Sequence, residues 1–310
     1  MLKTVLFVAA TATTADAFSF SPSFTSTFTR SATLSAPALR PATSSRAAAR
    51  SSLNMAVTRP AQVVAGSPLP RLYVYDHCPF CVRARMIFGM KNIKHEVRFM
   101  MNDDKETPTA LVGKKIAPIL QIEFLKEVMG ESMDIVKRID EDAGMGPSLL
   151  KGSPDVLRAD IKAWQKKHAD TFRELQRPRY VQGGLIPEFC LESARETFIT
   201  NHQMVGFDKK EWKDDTKYTQ EFRKAEYAKA MGKTAELVPM AEAALKELEP
   251  LIHSAHACSE GGVSYDDIDL FARLRSVTIV KGLTLPPKVK AYMEHFSEAS
   301  DIPLYTGLAV

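Results

Sequence analysis

The chain has 310 residues, 45% of them hydrophobic and 25% charged, so it can bury a sizeable core and its length suits about two domains. Its net charge of +4 resides in the leader: residues 1–70 carry six basic side chains against the single acid Asp16, and the remainder holds 35 basic and 36 acidic groups. A near-neutral body gives no electrostatic footprint for nucleic acid, and it lacks the apolar run of about 18 residues that stable membrane insertion needs.

Met1 to Ala17 reads MLKTVLFVAATATTADA: a Lys near the start, an apolar stretch, then the small-residue ending Ala15-Asp16-Ala17 of a signal peptide. Residues 18–70 are rich in Ser, Thr, Ala, Pro and Arg, with no acid between Asp16 and Asp76, the composition of a disordered transit peptide and linker. This order, with Phe18 directly after the expected cut, resembles the bipartite plastid presequences of algae whose plastids have extra membranes. The expected location is the plastid; the alternative is the secretory pathway with a disordered spacer.

From Arg71 the pattern becomes regular. Leu72-Tyr73-Val74-Tyr75 is a β-rich apolar run bounded by Pro70 and Asp76, which predicts a buried strand. Pro79 sits where a first helical turn accepts it, and Val82, Met86, Ile87 and Met90 recur at helical spacing. A second strand follows over His95–Met101, a short helix near Thr107–Val112, and a third strand over Ala117–Ile122 that opens on Pro118. Ile135, Val136 and Ile139 then form the inner face of a helix beginning near Ser132. Strand, helix, strand, more strand and a closing helix is the βαβαββα order of a thioredoxin-like domain, expected over residues 71–144.

Residues 145–154 read as a linker, and 155–310 as an all-helical domain. Helices are expected at about Asp155–Gln176, Glu192–Gln203, Tyr218–Glu249, Ser264–Val280 and Pro287–Glu298. The best-defined start is Ser264-Tyr265-Asp266-Asp267, a capping box with Val263 and Ile268 placed as a hydrophobic staple.

The chemistry lies in Cys78-Pro79-Phe80-Cys81, for which three roles compete: disulfide staple, metal clip and redox catalyst. A metal needs two more ligands, and His253, His256 and Cys258 match no standard spacing and fall in the other domain. A structural disulfide would close a loop too small to stabilise much. At a strand-to-helix turn, Cys78 faces a helix N-terminus whose N–H groups and dipole favour a thiolate, with Cys81 one turn later on the same side. That is the geometry of a redox dithiol. His77 and Arg83 are candidates for lowering the Cys78 pKa further, although His77 reads better as a solvent-facing residue of the helix start. Cys190 and Cys258 read as small buried apolar residues.

The stretches LYVYDHCPFCVRARMIFGMKNIKHEV, NDDKETPTALVGKKIAPIL, ESMDIVKRID and, near the end, SYDDIDLFARLRSVTIVKGLTLPPKVKAY resemble the glutaredoxin 2 family, glutaredoxins on a glutathione-transferase-like fold. The resemblance runs from about Arg71 to Val310 and is faint over residues 180–233. It implies Cys78 as nucleophile and Cys81 as resolving thiol. It also implies Pro118 as a cis-proline that presents the Ala117 backbone to the cysteinyl part of glutathione, with Glu131 and Ser132 holding the γ-glutamyl end. Glutathione would be the co-substrate, with no metal. The partners would be glutathionylated or disulfide-containing proteins met by a monomer. The competing readings are a glutathione transferase, conjugating or of the dehydroascorbate-reductase type, and a non-enzymatic binding protein on the same scaffold. Conjugation wants a Ser or Tyr hydroxyl where this chain has a Cys, and the intact thiol pair argues against a scaffold.

Overall fold

The computed structural model describes residues 68–310; the expected signal peptide and nearly all of the expected transit segment lie outside the described residues. The elements run β1 (Arg71–Val74), α1 (Pro79–Met90), β2 (Glu96–Phe99), α2 (Glu106–Val112), β3 (Ile119–Ile122), β4 (Glu127–Met129) and α3 (Ser132–Glu141). Seven helices follow: α4 (Ala159–Gln182), α5 (Glu192–Asn201), α6 (Lys209–Trp212), α7 (Gln220–Gly232), α8 (Thr234–Leu248), α9 (Tyr265–Arg275) and α10 (Pro287–Ser300). The sheet order is β2-β1-β3-β4. β1 and β2 are parallel, which requires the crossover that α1 supplies, while β3 pairs antiparallel with both β1 and β4. This is the thioredoxin-like order that the sequence predicts, followed by an all-helical unit.

β1 alternates as its sequence dictates. Leu72 and Val74 are sealed in the core, whereas Tyr73 is only partly buried and donates its hydroxyl to Gln121 of β3 at 2.9 Å. α1 is buried from Cys81 through Phe88 because it packs against α3 on one side and α9 and α10 on another. At Gly89 the crossing is so close that a Cβ would lie 1.9 Å from the carbonyl oxygen of Ser300. One apolar core joins the sheet, α1 and α3 to α9 and α10; a second lies among α4, α5, α7 and α8 around Trp212, Phe189 and Phe198.

Three helices depart from their expected bounds, each for a local reason. α4 continues six residues past Gln176 in spite of Pro178, because Leu175, Tyr180 and Val181 bury their side chains in the second core and offset the lost backbone bond. The expected helix over 218–249 divides at Gly232-Lys233, where glycine is a poor helix former and the Thr234 hydroxyl donates to the Met231 carbonyl at 2.6 Å. α9 ends at Arg275 and tightens into a 3₁₀ turn over Ser276–Ile279, with Thr278 Oγ1 donating to the Arg275 carbonyl at 2.7 Å. The capping box at Ser264 is present, and Asp267 accepts from the Ser264 N–H at 2.8 Å.

Candidate active site

β1 delivers the chain into α1 through Tyr75-Asp76-His77-Cys78, with Cys78 at the N-cap and Pro79 in the first turn. Cys78 is half-buried and Cys81 fully buried, and both are free thiols. The Tyr75 N–H donates to Cys81 Sγ at 3.3 Å, fixing the second sulfur beneath the first. Cys78 sits well below an ordinary thiol, at about 6. Its sulfur accepts from the Cys81 thiol, the adjacent His77 favours the anion, and the backbone N–H groups of Cys81 and Phe80 add to this against the cost of burial. Burial, and then the neighbouring Cys78 sulfur, push the Cys81 thiol far up. One sulfur is therefore poised as the thiolate, and the other keeps its proton.

His77 corrects the sequence reading. It is not solvent-facing at the helix start but 8% exposed, and Glu188 fixes it from the helical unit. Glu188 Oε1 accepts from the His77 backbone N–H at 2.8 Å and lies 2.5 Å from its Nδ1. The ring packs against Tyr180, Phe189 and Phe198 at centroid distances of 5.0, 4.9 and 5.2 Å. Arg83 is also buried, and its hydrogen-bond partners lie on α3 and α9. It donates to Ser132 Oγ at 3.2 Å and pairs with Asp269 of α9.

The remaining expected site residues divide into two places. Ala117, whose bond to Pro118 is cis, borders the same groove as Cys78. Glu131 and Ser132 do not border that groove; they stand at the start of α3, joined to α1 through the Arg83–Ser132 hydrogen bond. Glu131 is exposed and within 3.5 Å of Lys114, and its φ of 60° lies in a region that non-glycine residues rarely occupy. Sequence reasoning missed Glu188. The one available signal was an acid inside the apolar stretch LIPEFC, and its partner lies 111 residues away.

Two grooves meet at Cys78. The larger, about 1120 Å³, runs between the sheet unit and α5–α7 past Asn102, Lys115, Ala117 and Thr197. The smaller, about 360 Å³, is walled by Trp164, Phe172 and Tyr180 of α4 and by Val277. His256 faces His295 at 3.2 Å between Nδ1 atoms, and Cys258 is buried. No group of three or more His, Cys, Asp or Glu is placed to hold a metal among the described residues. Cys190, expected buried, is exposed.

Comparison with known proteins matches residues 72–148 to the N-terminal domain of glutathione S-transferases and residues 160–309 to the C-terminal domain of glutaredoxin 2. Glutaredoxin 2 of Escherichia coli strain K12 is 35% identical over 240 residues, spanning 77% of this chain and 100% of that one. A chloroplastic glutathione S-transferase L2 of Arabidopsis thaliana is 32% identical, but over only 34% of this chain and 35% of that protein. The crystal structure of Salmonella typhimurium glutaredoxin 2 in complex with glutathione superposes with a TM-score of 0.67 at 34% identity, covering 79% of this chain and all of that one. With its dithiol at a strand-to-helix turn and a match in sequence and fold that spans more than three quarters of this chain and the whole of its relatives, the chain belongs to the glutaredoxin 2 family.

Proposed function

We propose that this protein is a glutathione-dependent thiol–disulfide oxidoreductase that uses Cys78 to reduce protein–glutathione mixed disulfides and small disulfides. The observation that carries this reading is the Cys78 thiol, lowered to about 6 by its bond from Cys81, by His77 and by the α1 N–H groups. At neutral pH it is a thiolate, the only form that attacks a disulfide. The Cys78 thiolate attacks the glutathione sulfur, the partner thiolate leaves, and a second glutathione regenerates Cys78. Alternatively, Cys81 displaces the first glutathione and closes the internal disulfide. The family membership, and the glutathione in the Salmonella relative, support glutathione as the co-substrate.

Ala117, Pro118, Glu131 and Ser132 hold glutathione in this proposal. The Ala117 backbone pairs with its cysteinyl part beside Cys78. Ser132 and the first N–H groups of α3 suit the γ-glutamyl carboxylate, and Glu131 suits the ammonium in place of Lys114. The positive φ of Glu131 supports this, since such backbone costs roughly 1–3 kcal/mol and collects at ligand sites. A conjugating transferase is disfavoured because a reactive Cys78 forms a disulfide with glutathione instead of donating a hydroxyl hydrogen bond to it.

The protein acts, in this reading, as a monomer in a plastid, where its partners are glutathionylated or disulfide-containing proteins. The presequence composition supports that location. A fluorescent fusion of residues 1–70 accumulates in plastids if so, and in the medium if the leader is purely secretory. For the chemistry, turnover of a glutathione mixed disulfide coupled to glutathione reductase is the assay. Cys78→Ser abolishes it and Cys81→Ser retains much of it; robust turnover by Cys78→Ser refutes the nucleophile.

A further inference from the structure

Glu188 is completely buried, and its charge has no Lys or Arg partner among the described residues. Its Oε1 holds both the backbone N–H and Nδ1 of His77, and Oε2 has no hydrogen-bond partner among the described residues. A buried carboxylate is tolerated when a hydrogen-bonding or cationic group compensates it, and the His77 ring is the group in contact. The other titratable groups around His77 are Tyr75 just after β1, Tyr180 from α4, His202 at the end of α5, and Cys78 and Cys81. Arg275 is engaged by Asp76. None of these competes for Nδ1. With Nδ1 committed to Glu188, Nε2 is left for the two grooves, both of which His77 borders beside Cys78.

We propose that Glu188 is a positioning residue that holds His77 protonated on Nδ1 and facing the grooves through Nε2, so that His77 serves the exchange reaction as acid and then as base. This rests on the oxidoreductase reading and extends it to proton transfer. As the Cys78 thiolate forms its bond to the glutathione sulfur, the disulfide breaks and the partner leaves as a thiolate with the electron pair. The Nε2 proton of His77 passes to that thiolate, giving the free thiol and neutral His77. The second glutathione returns the proton: neutral Nε2 takes it from the incoming thiol, whose thiolate attacks the Cys78–glutathione disulfide. Glutathione disulfide leaves and the Cys78 thiolate is restored beside imidazolium. The partner leaves as its thiol, its glutathionyl group and one free glutathione end as one glutathione disulfide, and no other reagent is consumed.

An acid matters most when the leaving thiolate is basic, which separates this role from a merely structural one. The test compares two glutathione mixed disulfides, one with an alkyl thiol of ordinary pKa and one with an acidic aromatic thiol, using the full-length mature protein and Glu188→Gln. The variant is expected to lose about tenfold more rate on the alkyl substrate than on the aromatic one. His77→Gln shows the same selective loss, and the double variant is no worse than His77→Gln alone. Equal losses on both substrates, or additive losses in the double variant, overturn the proposal; taking the ratio cancels any difference in folded fraction. If the wild type turns over neither disulfide with glutathione, the oxidoreductase reading fails instead. Alkylation of Cys78 against pH, which needs no glutathione, then still tests the pair. Glu188→Gln moves the midpoint upward if His77 has lost its charge, and an unchanged midpoint overturns the proposal.

Discussion

Arg275 grips Asp76 across the two halves of the molecule. Its Nη2 donates to the Asp76 carboxylate oxygens at 3.2 and 3.0 Å, and its Nη1 donates to the Asp76 carbonyl at 2.6 Å. Arg85 and the Tyr305 hydroxyl donate to the same carboxylate at 2.6 and 2.7 Å. Because Asp76 lies two residues before Cys78, the helical unit fixes the turn that presents the nucleophile.

That link predicts acid sensitivity. Burial works against the Asp76 anion, but Arg275, Arg85 and Tyr305 outweigh it and hold the carboxyl at about 2, below its usual 3.8. A depressed carboxylate pKa stabilises the fold above its unfolded value, and that contribution is lost as pH falls from about 4 toward 2. It amounts to about 2 kcal/mol. Urea unfolding at pH 7 and near pH 2 measures it, and Asp76→Asn should show a correspondingly smaller fall with acid.

The thiol pair predicts a second pH dependence. Iodoacetamide alkylation of Cys78 should have its midpoint near pH 6 in the wild type. Cys81→Ala removes the thiol that donates to Cys78, the largest of the effects that lower it, so its midpoint should move upward. An unmoved midpoint means that His77 and the helix N–H groups suffice.

Arg83 joins the proposed glutathione residues to the helical unit through Ser132 and Asp269. Arg83→Met leaves Asp269 with Arg273 and Gln165 only, and should cost about 3 kcal/mol in denaturant unfolding. If Ser132 binds the γ-glutamyl carboxylate, KM for glutathione should also rise several-fold with a smaller change in kcat.

Gly89 reverses an ordinary rule. Alanine in mid-helix normally stabilises by about 1 kcal/mol over glycine. Here the new methyl would meet the Ser300 backbone, so Gly89→Ala should destabilise by about 2 kcal/mol or more through forcing α1 from α10. Thermal unfolding decides the sign.

These residues also mark what a sequence can disclose. The strand over LYVY, the helix opening at Pro79 and the capping box at Ser264 were legible because each depends on neighbours within a few positions. The α7–α8 break was not, since one glycine weakens a helix without ending it and the Thr234 hydroxyl bond that completes the break shows only in the fold. The Cys pair identified itself by spacing at a turn. Its surroundings did not: His77 looked exposed because Glu188, 111 residues on, closes over it. Arg83 and Asp76 likewise take their partners from α9, about 190 residues away, where no periodicity or motif records the contact.

The central claim is that Cys78 carries the glutathionyl group. It is tested most directly by mixing Cys81→Ser with a glutathionylated peptide in the absence of free glutathione and mapping the adduct by mass spectrometry. The account predicts one glutathionyl group on Cys78 and release of the reduced peptide. An adduct on Cys190 or Cys258 with Cys78 unmodified, or no adduct with the peptide still glutathionylated, would contradict it.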